Sequence, residues 1–349
     1  MEIDRDELVK VLNQLKPGIA GKEFLEQSTH YILNTEEIVS YNGDISVVCP
    51  FDIGIQCTVD ASIFYKLISR MEKSTISIEL KKTKLVLECG NVKGELPIVV
   101  DSEIFAYLDK LGKEQNDLEW DPLPKDFLDA VELCAFSAST DTTLGTFTCI
   151  WVEGADVIAT DKYRASWYKM EEPVKKNFYV EARLISELLK FAVPKEFCLS
   201  DSWAHFALAD GVVFTTRLVQ PKDLVPVRDK FNEFQHDVRI PLPDALTSAI
   251  ETVAITVEGE EKLDQLVKIE FGAELIRCVG TSQRGKIEEE IHLENPLKLK
   301  PFTIKASPIS MLAVLEKSTH LLVGEGKGVF KSREAKSFQH LIGIIKEEA

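Results

Sequence analysis

The segment VIATDKYRASWYK, residues 157–169, places Asp161, Lys162, Tyr163 and Arg164 on a single bend. Alternating residues on either side read as two short strands, so a carboxylate, two cations and a phenol are presented at one turn. Such a set can hold a partner's polar groups or assist a proton transfer, and the rest of the sequence decides between the two. No G-x-S-x-G elbow and no Ser/His/Asp grouping accompanies it. The stretch 18–22, GIAGK, lacks the four-residue gap and the hydroxyl residue of a phosphate loop. The stretch 324–328, GEGKG, lies between strands with no helix following, and both are read as turns. Glu288, Glu289 and Glu290 fall in an alternating strand without spaced partners, which fits a solvated edge better than a metal site. The six histidines share no metal-ligand spacing. The seven cysteines (Cys49, Cys57, Cys89, Cys134, Cys149, Cys198 and Cys278) form no C-x-x-C pair and are expected to be reduced core residues. No paired acid/base or metal constellation accompanies the bend, and neither a metal nor a cofactor is expected.

The elements that position the bend recur. Three segments can be laid over one another at a spacing of roughly 120 residues. Each opens with an amphipathic helix, marked by Leu8, Leu12 and Leu15, then by Phe127, Val131 and Cys134, then by Leu246, Ile250 and Val253. Asp4 with Glu7, Pro124 and Pro243 supply start signals. Strands follow, with Asn42-Gly43 marking a hairpin in the first segment. A second helix comes next (DASIFYKLISRME, EARLISELLKFA and ASPISMLAVLEK), with Asp60 and Ser307 as N-caps, and further strands close each segment. The expected fold is α+β, built from three like domains at 1–117, 118–237 and 238–349. The polar, proline-bearing stretches EQNDLEWDPLP and NEFQHDVRIPLP serve as links. A chain of such units leaves open sheet edges at its two ends. If one end fits the other end of a second copy, two chains close a six-unit ring, whereas a monomeric arc leaves the edges bare.

Charge narrows the partners. A net charge of −16 opposes general adhesion to nucleic acid or anionic membrane but leaves room for a local basic face. No apolar run approaches a membrane span, and the start MEIDRDELVK is charged from its second residue. No secretory signal or anchor is expected, and a cytoplasmic location fits the thiols.

With the repeat and the bend in hand, the chain resembles a bacterial-type DNA sliding clamp, the beta subunit of the replicative DNA polymerase. Ala159, Thr160, Asp161 and Arg164 match the family's A-T-D-x-x-R bend, and Arg217-Leu218 match its R-L strand end. The chain departs from the pattern at Lys162, Tyr163 and Ala165, in the shortened turn PKDLVPV, and in a tail ending LIGIIKEEA. The resemblance implies a head-to-tail homodimeric ring around duplex DNA, loaded by a clamp loader and gripped by polymerase and other clients. It also implies a client-peptide pocket between the second and third domains, which takes a motif of one Gln and a few large apolar residues. Its residues would be Leu144, Thr160, Lys162, Tyr163, Arg164, Ala165, Pro221, Val225, Leu341, Gly343 and Ile345. For Arg164 the competing reading is a salt bridge to Asp161 or Glu153, and for Tyr163 and Trp167 it is ordinary strand packing.

A sliding ring is held by topology and needs only a modest cationic stripe facing phosphates, hence sequence-blind contacts. Lys66, Arg70 and Lys73 form such a stripe, expected opposite Ile63, Leu67 and Met71. Arg183 and Lys190 (opposite Leu184, Leu188 and Phe191), Lys317, Lys10 and Lys16 extend it. The bland reading is a solvated helix face. Asp126, Asp129, Glu132, Asp244 and Glu251 on the first helices of segments two and three make the channel mixed in sign. Two other classes remain open at this point: a clamp-derived adaptor or decoy that binds client peptides without encircling DNA, and an enzyme using dispersed carboxylates.

Overall fold

The computed structural model describes residues 1–100, 102–222, 224–259, 265–332 and 338–346. The first repeat carries β1 (Glu2–Asp4), α1 (Arg5–Gln14), β2 (His30–Asn34), β3 (Glu37–Tyr41), β4 (Ile45–Pro50), β5 (Gln56–Asp60), α2 (Ala61–Arg70), β6 (Thr75–Lys81), β7 (Lys84–Cys89) and β8 (Val92–Val99), followed by α3 (Glu103–Asn116). The second carries β9 (Asp121–Pro122), α4 (Phe127–Ala135), β10 (Cys149–Glu153), β11 (Asp156–Thr160), β12 (Arg164–Lys169), β13 (Phe178–Glu181), α5 (Ala182–Ile185), β14 (Glu196–Leu199), β15 (Trp203–Ala207) and β16 (Val213–Arg217), followed by α6 (Val227–Asn232). The third carries β17 (Val238–Pro241), α7 (Ala245–Ala254), β18 (Val267–Phe271), β19 (Leu275–Ser282), β20 (Gly285–His292), β21 (Phe302–Ala306), α8 (Pro308–Lys317), β22 (His320–Val323), β23 (Lys327–Lys331) and β24 (Phe338–Gly343), with a short β25 (Ile345–Lys346) at the end.

Strand order repeats with the sequence. The sets β1-β6-β7-β8, β9-β14-β15-β16 and β17-β22-β23-β24 share one order, and so do β5-β2-β3-β4, β13-β10-β11-β12 and β21-β18-β19-β20. Repeats are joined by antiparallel pairing of the fourth strand of one with the eighth of the next. At the first seam β4 pairs β16, with Val48 opposite Val213 and Ile45 opposite Thr216. At the second β12 pairs β24, with Arg164 opposite Ile342 and Tyr168 opposite Phe338. The chain divides into two compact units, and the division cuts through the second repeat. Residues 1–128 and 183–219 form the first, which holds a 12-stranded sheet; residues 129–182 and 220–349 form the second, which holds an 8-stranded and a 5-stranded sheet.

The helices start where their caps place them. The Asp4 carboxylate accepts from the Asp6 and Glu7 amides at 2.9 Å, and Asp60 accepts from Ile63 at 2.8 Å. Ser307 stands at the N-cap of α8, but its side chain makes no capping bond; Pro308 takes the first turn. Leu8, Leu12 and Leu15 are fully buried, as are Phe127, Val131 and Cys134, and Ile250 and Val253. Three expectations are corrected. On α2 the buried face is Phe64, Ile68 and Met71, while Ile63 is 52% exposed and Leu67 half-buried. Spacings of four and three from Phe64 lie over the sheet; Ile63 is about 100° away, on the side of Lys66 and Arg70. The second helix of repeat two is only four residues of α5 followed by 3-10 turns over Ser186–Lys190. Its burial falls on Leu184, Ile185 and Leu188, with Phe191 half-buried. A 14-residue helix, α3, which the sequence reading did not assign, precedes the first link and takes in the link's first three residues. Leu111 of α3 enters a cluster with Ile32, Val39, Tyr41 and Trp203, and the Tyr41 hydroxyl donates to that of Tyr107 at 3.0 Å.

All seven cysteines are buried free thiols. Burial pushes the thiols of Cys49, Cys57 and Cys278 up to about 12. No helix among the described residues is long and apolar enough to cross a membrane. The GEGKG stretch is a turn, closed by Gly324 N–H to Lys327 O at 3.0 Å.

Two outcomes follow. A Cβ on Gly280 of β19 would stand 2.1 Å from Val253 O and 2.3 Å from Thr256 Oγ1. Gly280→Ala must therefore push α7 off the sheet, and its denaturant midpoint should fall by an amount worth roughly 1–3 kcal/mol. Burial also lowers the His205 pKa from 6.5 to about 4 and that of His340 to about 3. An unfolded histidine takes up a proton below its ordinary value, whereas these folded ones stay neutral. Their contribution is whole above pH 6.5 and is lost as pH falls toward the folded values, by about 1.4 kcal/mol per pH unit per ring. Urea midpoints should fall between pH 6.5 and 4.5, and less steeply in His205→Gln.

Candidate binding surface

The bend between β11 and β12 is organised by Asp161. Its Oδ1 accepts the Tyr163 amide at 3.0 Å and the Arg164 amide at 2.9 Å, while Oδ2 accepts Arg164 Nε at 3.0 Å. Thr160 Oγ1 donates to Arg164 O at 2.7 Å and accepts the Lys162 amide at 3.1 Å. These bonds hold Lys162 at φ 79°, a left-handed conformation that costs a side-chain-bearing residue about 1–2 kcal/mol. Asp161 is the residue that shapes the turn, and the salt bridge weighed for Arg164 is formed: its charge is neutralised locally. The two aromatics part company. Trp167 packs, with its ring centroid 5.7 Å from that of Phe231 and Nε1–H donating to Asp156 Oδ1 at 2.8 Å. Tyr163 is 85% exposed.

The neighbours of the bend come from distant sequence. Residues 142–148 form 3-10 turns, entered at Asp141, whose Oδ1 accepts the Thr143 amide at 2.9 Å. Thr146 Oγ1 donates to Lys222 O at 2.7 Å and accepts the Lys222 amide at 3.0 Å. Lys162 Nζ lies 4.5 Å above the Phe147 ring. The turn carrying Leu144 is thus pinned on one side to the bend and on the other to the segment carrying Pro221 and Val225. Leu144 and Pro221 are half-buried, and Val225 is exposed, as is its neighbour Leu224. Asp223 lies outside the described residues. Ala165 pairs with Leu341 across the β12–β24 seam, and Gly343 sits at the open end of β24. Ile345 has crossed to the 5-stranded sheet, where it pairs with Thr303. Beneath the seam, the buried His340 Nδ1 and the Ser166 and Ser137 hydroxyls form a closed polar cluster.

Sequence reasoning reached the bend and one flank but missed Thr146, Phe147 and Lys222. The first and last are 76 positions apart, so no local pattern announces them. Arg217, part of the family-like R-L pair, belongs elsewhere. In the first unit it sits 4.5 Å from the Trp203 ring and donates to Gly43 O at 2.9 Å, holding the turn beside the β4–β16 seam.

The expected cationic residues divide sharply. α1 and α2 lie side by side, with Tyr65 OH donating to Asn13 Oδ1 at 2.9 Å and Lys16 Nζ 4.2 Å from the Tyr65 ring. Lys66, Arg70 and Lys73 are exposed and make no ion pair with any described residue. Lys16 has only the Tyr65 ring, and the remaining four are paired. Arg183 reaches Asp44 at 3.1 Å, Lys190 binds Glu187, and Lys317 binds Glu316 with Asp129 and Glu132 nearby. Lys10 stands 3.9 Å from Asp210, a fully solvated pair of little strength. Among the described residues no group of His, Cys, Asp and Glu gathers to hold a metal.

If the two Thr146 bonds fix this surface, Thr146→Val should raise hydrogen exchange at the Lys222 amide by about tenfold or more, since each bond is worth about 1 kcal/mol. Unchanged protection would detach the 220–226 segment from the turn.

No protein-family model and no curated protein sequence matches the chain. Solved structures do match. The DNA polymerase sliding clamp from Bacillus subtilis superposes with a TM-score of 0.74 at 18% identity, with 99% of each chain covered. The beta subunit from DNA polymerase of Streptococcus pyogenes gives 0.73 at 19%, again with 99% of each chain covered. The DnaN sliding clamp (DNA polymerase III subunit beta) from Bartonella birtlesii bound to griselimycin gives 0.76 at 15%, also with 99% of each covered. At such identities the likeness is one of architecture, and it extends from end to end: this chain has the fold of the bacterial DNA sliding clamp.

Proposed function

We propose that the chain is a sliding clamp in function as well as fold: a non-catalytic ring that encircles duplex DNA and tethers polymerase and other clients. The observation that carries this reading is the seam rule. Inside the chain, the fourth strand of one repeat always pairs with the eighth strand of the next. Among the described residues two strands lack such a partner, the fourth strand of the third repeat (β20) and the eighth of the first (β8), which pairs β7 along its length and meets β5 only at Ile98 and Val99. Pairing β20 of one copy with β8 of another, twice over, closes a head-to-tail dimer of six domains, with the domains at 1–117, 118–237 and 238–349. An apolar groove supports the same contact. α7 lies against β20, and between α7 and α8 a groove of ≈ 330 Å³ is lined by Ala254, Ile255, Pro308, Ile309 and Leu312. Ile255 and Ile309 are 61% and 75% exposed, more than an isolated chain gains from showing.

In this reading Lys66, Arg70 and Lys73, joined by Lys16 and Lys10, face the phosphates. The compensated Arg183, Lys190 and Lys317 add little, and the weak net attraction lets the ring slide. The bend, the 142–148 turn and the 220–226 segment form the client surface, with Leu341, Gly343 and Ile345 along its far side. Sedimentation at micromolar concentration should give a dimer, and loaded protein should stay on closed circular DNA but leave linearised DNA. Changing Lys66, Arg70 and Lys73 together to Glu should cut retention severalfold without splitting the dimer. A strict monomer sinks the ring and favours a peptide-binding adaptor; unaltered retention returns the stripe to a solvated face.

A further inference from the structure

Helix α3 leaves part of the sheet beneath it unfilled. Leu111 enters the cluster around Tyr41 and Trp203, and Ile104, Phe105 and Leu108 pack against that cluster. The next residue is Gly112, and no neighbouring atom lies within 4 Å of where its Cβ would stand. A glycine inside a helix weakens it, and here it also leaves room that a side chain would occupy. Between this stretch of α3 and the β4–β16 seam lies a cavity of ≈ 260 Å³, walled by Leu108, Leu111, Val39, Val48 and Val213. Ser46 and Thr215 also line it. They stand opposite one another across the seam, two positions along from the Val48–Val213 pair, and so share its face. The two hydroxyls differ. That of Thr215 is bonded to His205 Nδ1 at 3.0 Å. Ser46 is 1% exposed, and its Oγ has no hydrogen-bond partner among the described residues. The other end of the cavity carries a charge. Glu37 lies opposite Pro50, four positions from Ser46 and so about 13 Å along the strand. It is half-buried, and its Oε1 accepts Asn34 Nδ2–H at 2.9 Å.

We propose that this cavity binds a small uncharged molecule with an apolar ring body and a single hydroxyl head. The head meets Ser46 Oγ, and the body lies between Val48, Val213 and Leu111. An apolar wall with one polar group to fix orientation is the usual form of a small-molecule site. The size fits: a closed apolar cavity of about 150 Å³ takes up benzene, so this larger one has room for a substituted ring. The chemistry fits as well. A buried hydroxyl that has no partner gains a whole hydrogen bond from a ligand that brings one, whereas an apolar ligand leaves it as it was. The Glu37 carboxylate sets the sign, because an anion entering beside it is repelled. A bound molecule would touch β4, β16 and α3 together and so hold the helix to the seam. None of these residues belongs to the basic stripe or the client surface, and the site stands whether or not the chain forms a ring.

The test titrates the full-length protein with 4-ethylphenol, ethylbenzene and 4-ethylbenzoate by ligand-observed NMR at neutral pH. The phenol should bind, and the benzoate should bind at least tenfold more weakly. Ser46→Ala should weaken the phenol about fivefold, the worth of one net hydrogen bond, and leave ethylbenzene unchanged. Gly112→Leu fills the open space and removes a helix-weakening glycine, so it should fold with an undiminished thermal midpoint and lose the phenol. Hydrogen exchange at the α3 amides should slow when the phenol is added to the wild-type protein and stay unchanged in Gly112→Leu. No binding of the phenol at millimolar concentration overturns the site. Binding that survives Gly112→Leu places the molecule elsewhere and overturns it too. An equal affinity in Ser46→Ala overturns the role of the hydroxyl, and benzoate bound as tightly as the phenol overturns the preference for an uncharged ligand.

Discussion

Backbone hydrogen bonding at strand edges is the constraint on which this molecule depends. Every repeat ends in two edges whose N–H and C=O groups cannot be buried unpaired without a penalty comparable to a lost bond each. The chain meets that requirement twice internally, at β4–β16 and β12–β24, and always with the same strand positions. Side chains then reinforce seams the backbone has chosen. Arg217 clasps the Gly43 carbonyl beside the first, and the buried His340–Ser166–Ser137 cluster satisfies polar atoms under the second. The proposed dimer applies the same solution to β20 and β8, the two strands without such a partner.

The seam at β12–β24 also explains why the proposed binding surface lies where it does. A strand that joins a new sheet must begin from a defined turn, and Asp161 provides one by capping two amides and one guanidinium. The cost of the left-handed Lys162 is offset by bonds from Thr160 and Asp161. What projects from a turn so constrained is rigid, and rigid apolar and cationic groups bind with less lost entropy than flexible ones. In the proposed clamp, structural and recognition roles are divided within one tetrapeptide: Asp161 and Arg164 hold the shape, while Lys162 and Tyr163 meet the partner.

The linkers show another economy. α3 lays Leu111 and Tyr107 over a sheet face made by Ile32, Val39, Tyr41 and Trp203. α6 places Phe231 on Trp167 and Arg228 on Glu153 and Asp156. Each connection between repeats thus becomes a cover for the sheet it leaves, which hides apolar surface that the paired helices on the other face cannot reach.

Much of this was legible in the sequence. Periodic leucines at 8, 12 and 15, caps at Asp4 and Asp60, and glycine-marked hairpins are local signals, because helices and turns are decided within a few residues. The threefold recurrence was legible for the same reason. The α2 face was misjudged by one residue, since Ile63 and Phe64 are both apolar and only the sheet beneath selects between them. α3 was overlooked because its apolar residues have no face to cover until Trp203 and Ile32 are brought beneath it. The bend announced itself through Asp161 and Arg164, but its floor did not: Thr146 and Lys222, or Ala165 and Leu341, meet only through pairings between strands far apart in the chain. Sequence alone determined the local elements and their order, which short-range sterics and hydrophobic period dictate. Tertiary structure alone decided which cations remained uncompensated, because long-range electrostatic neighbours are set by strand pairing and not by spacing along the chain.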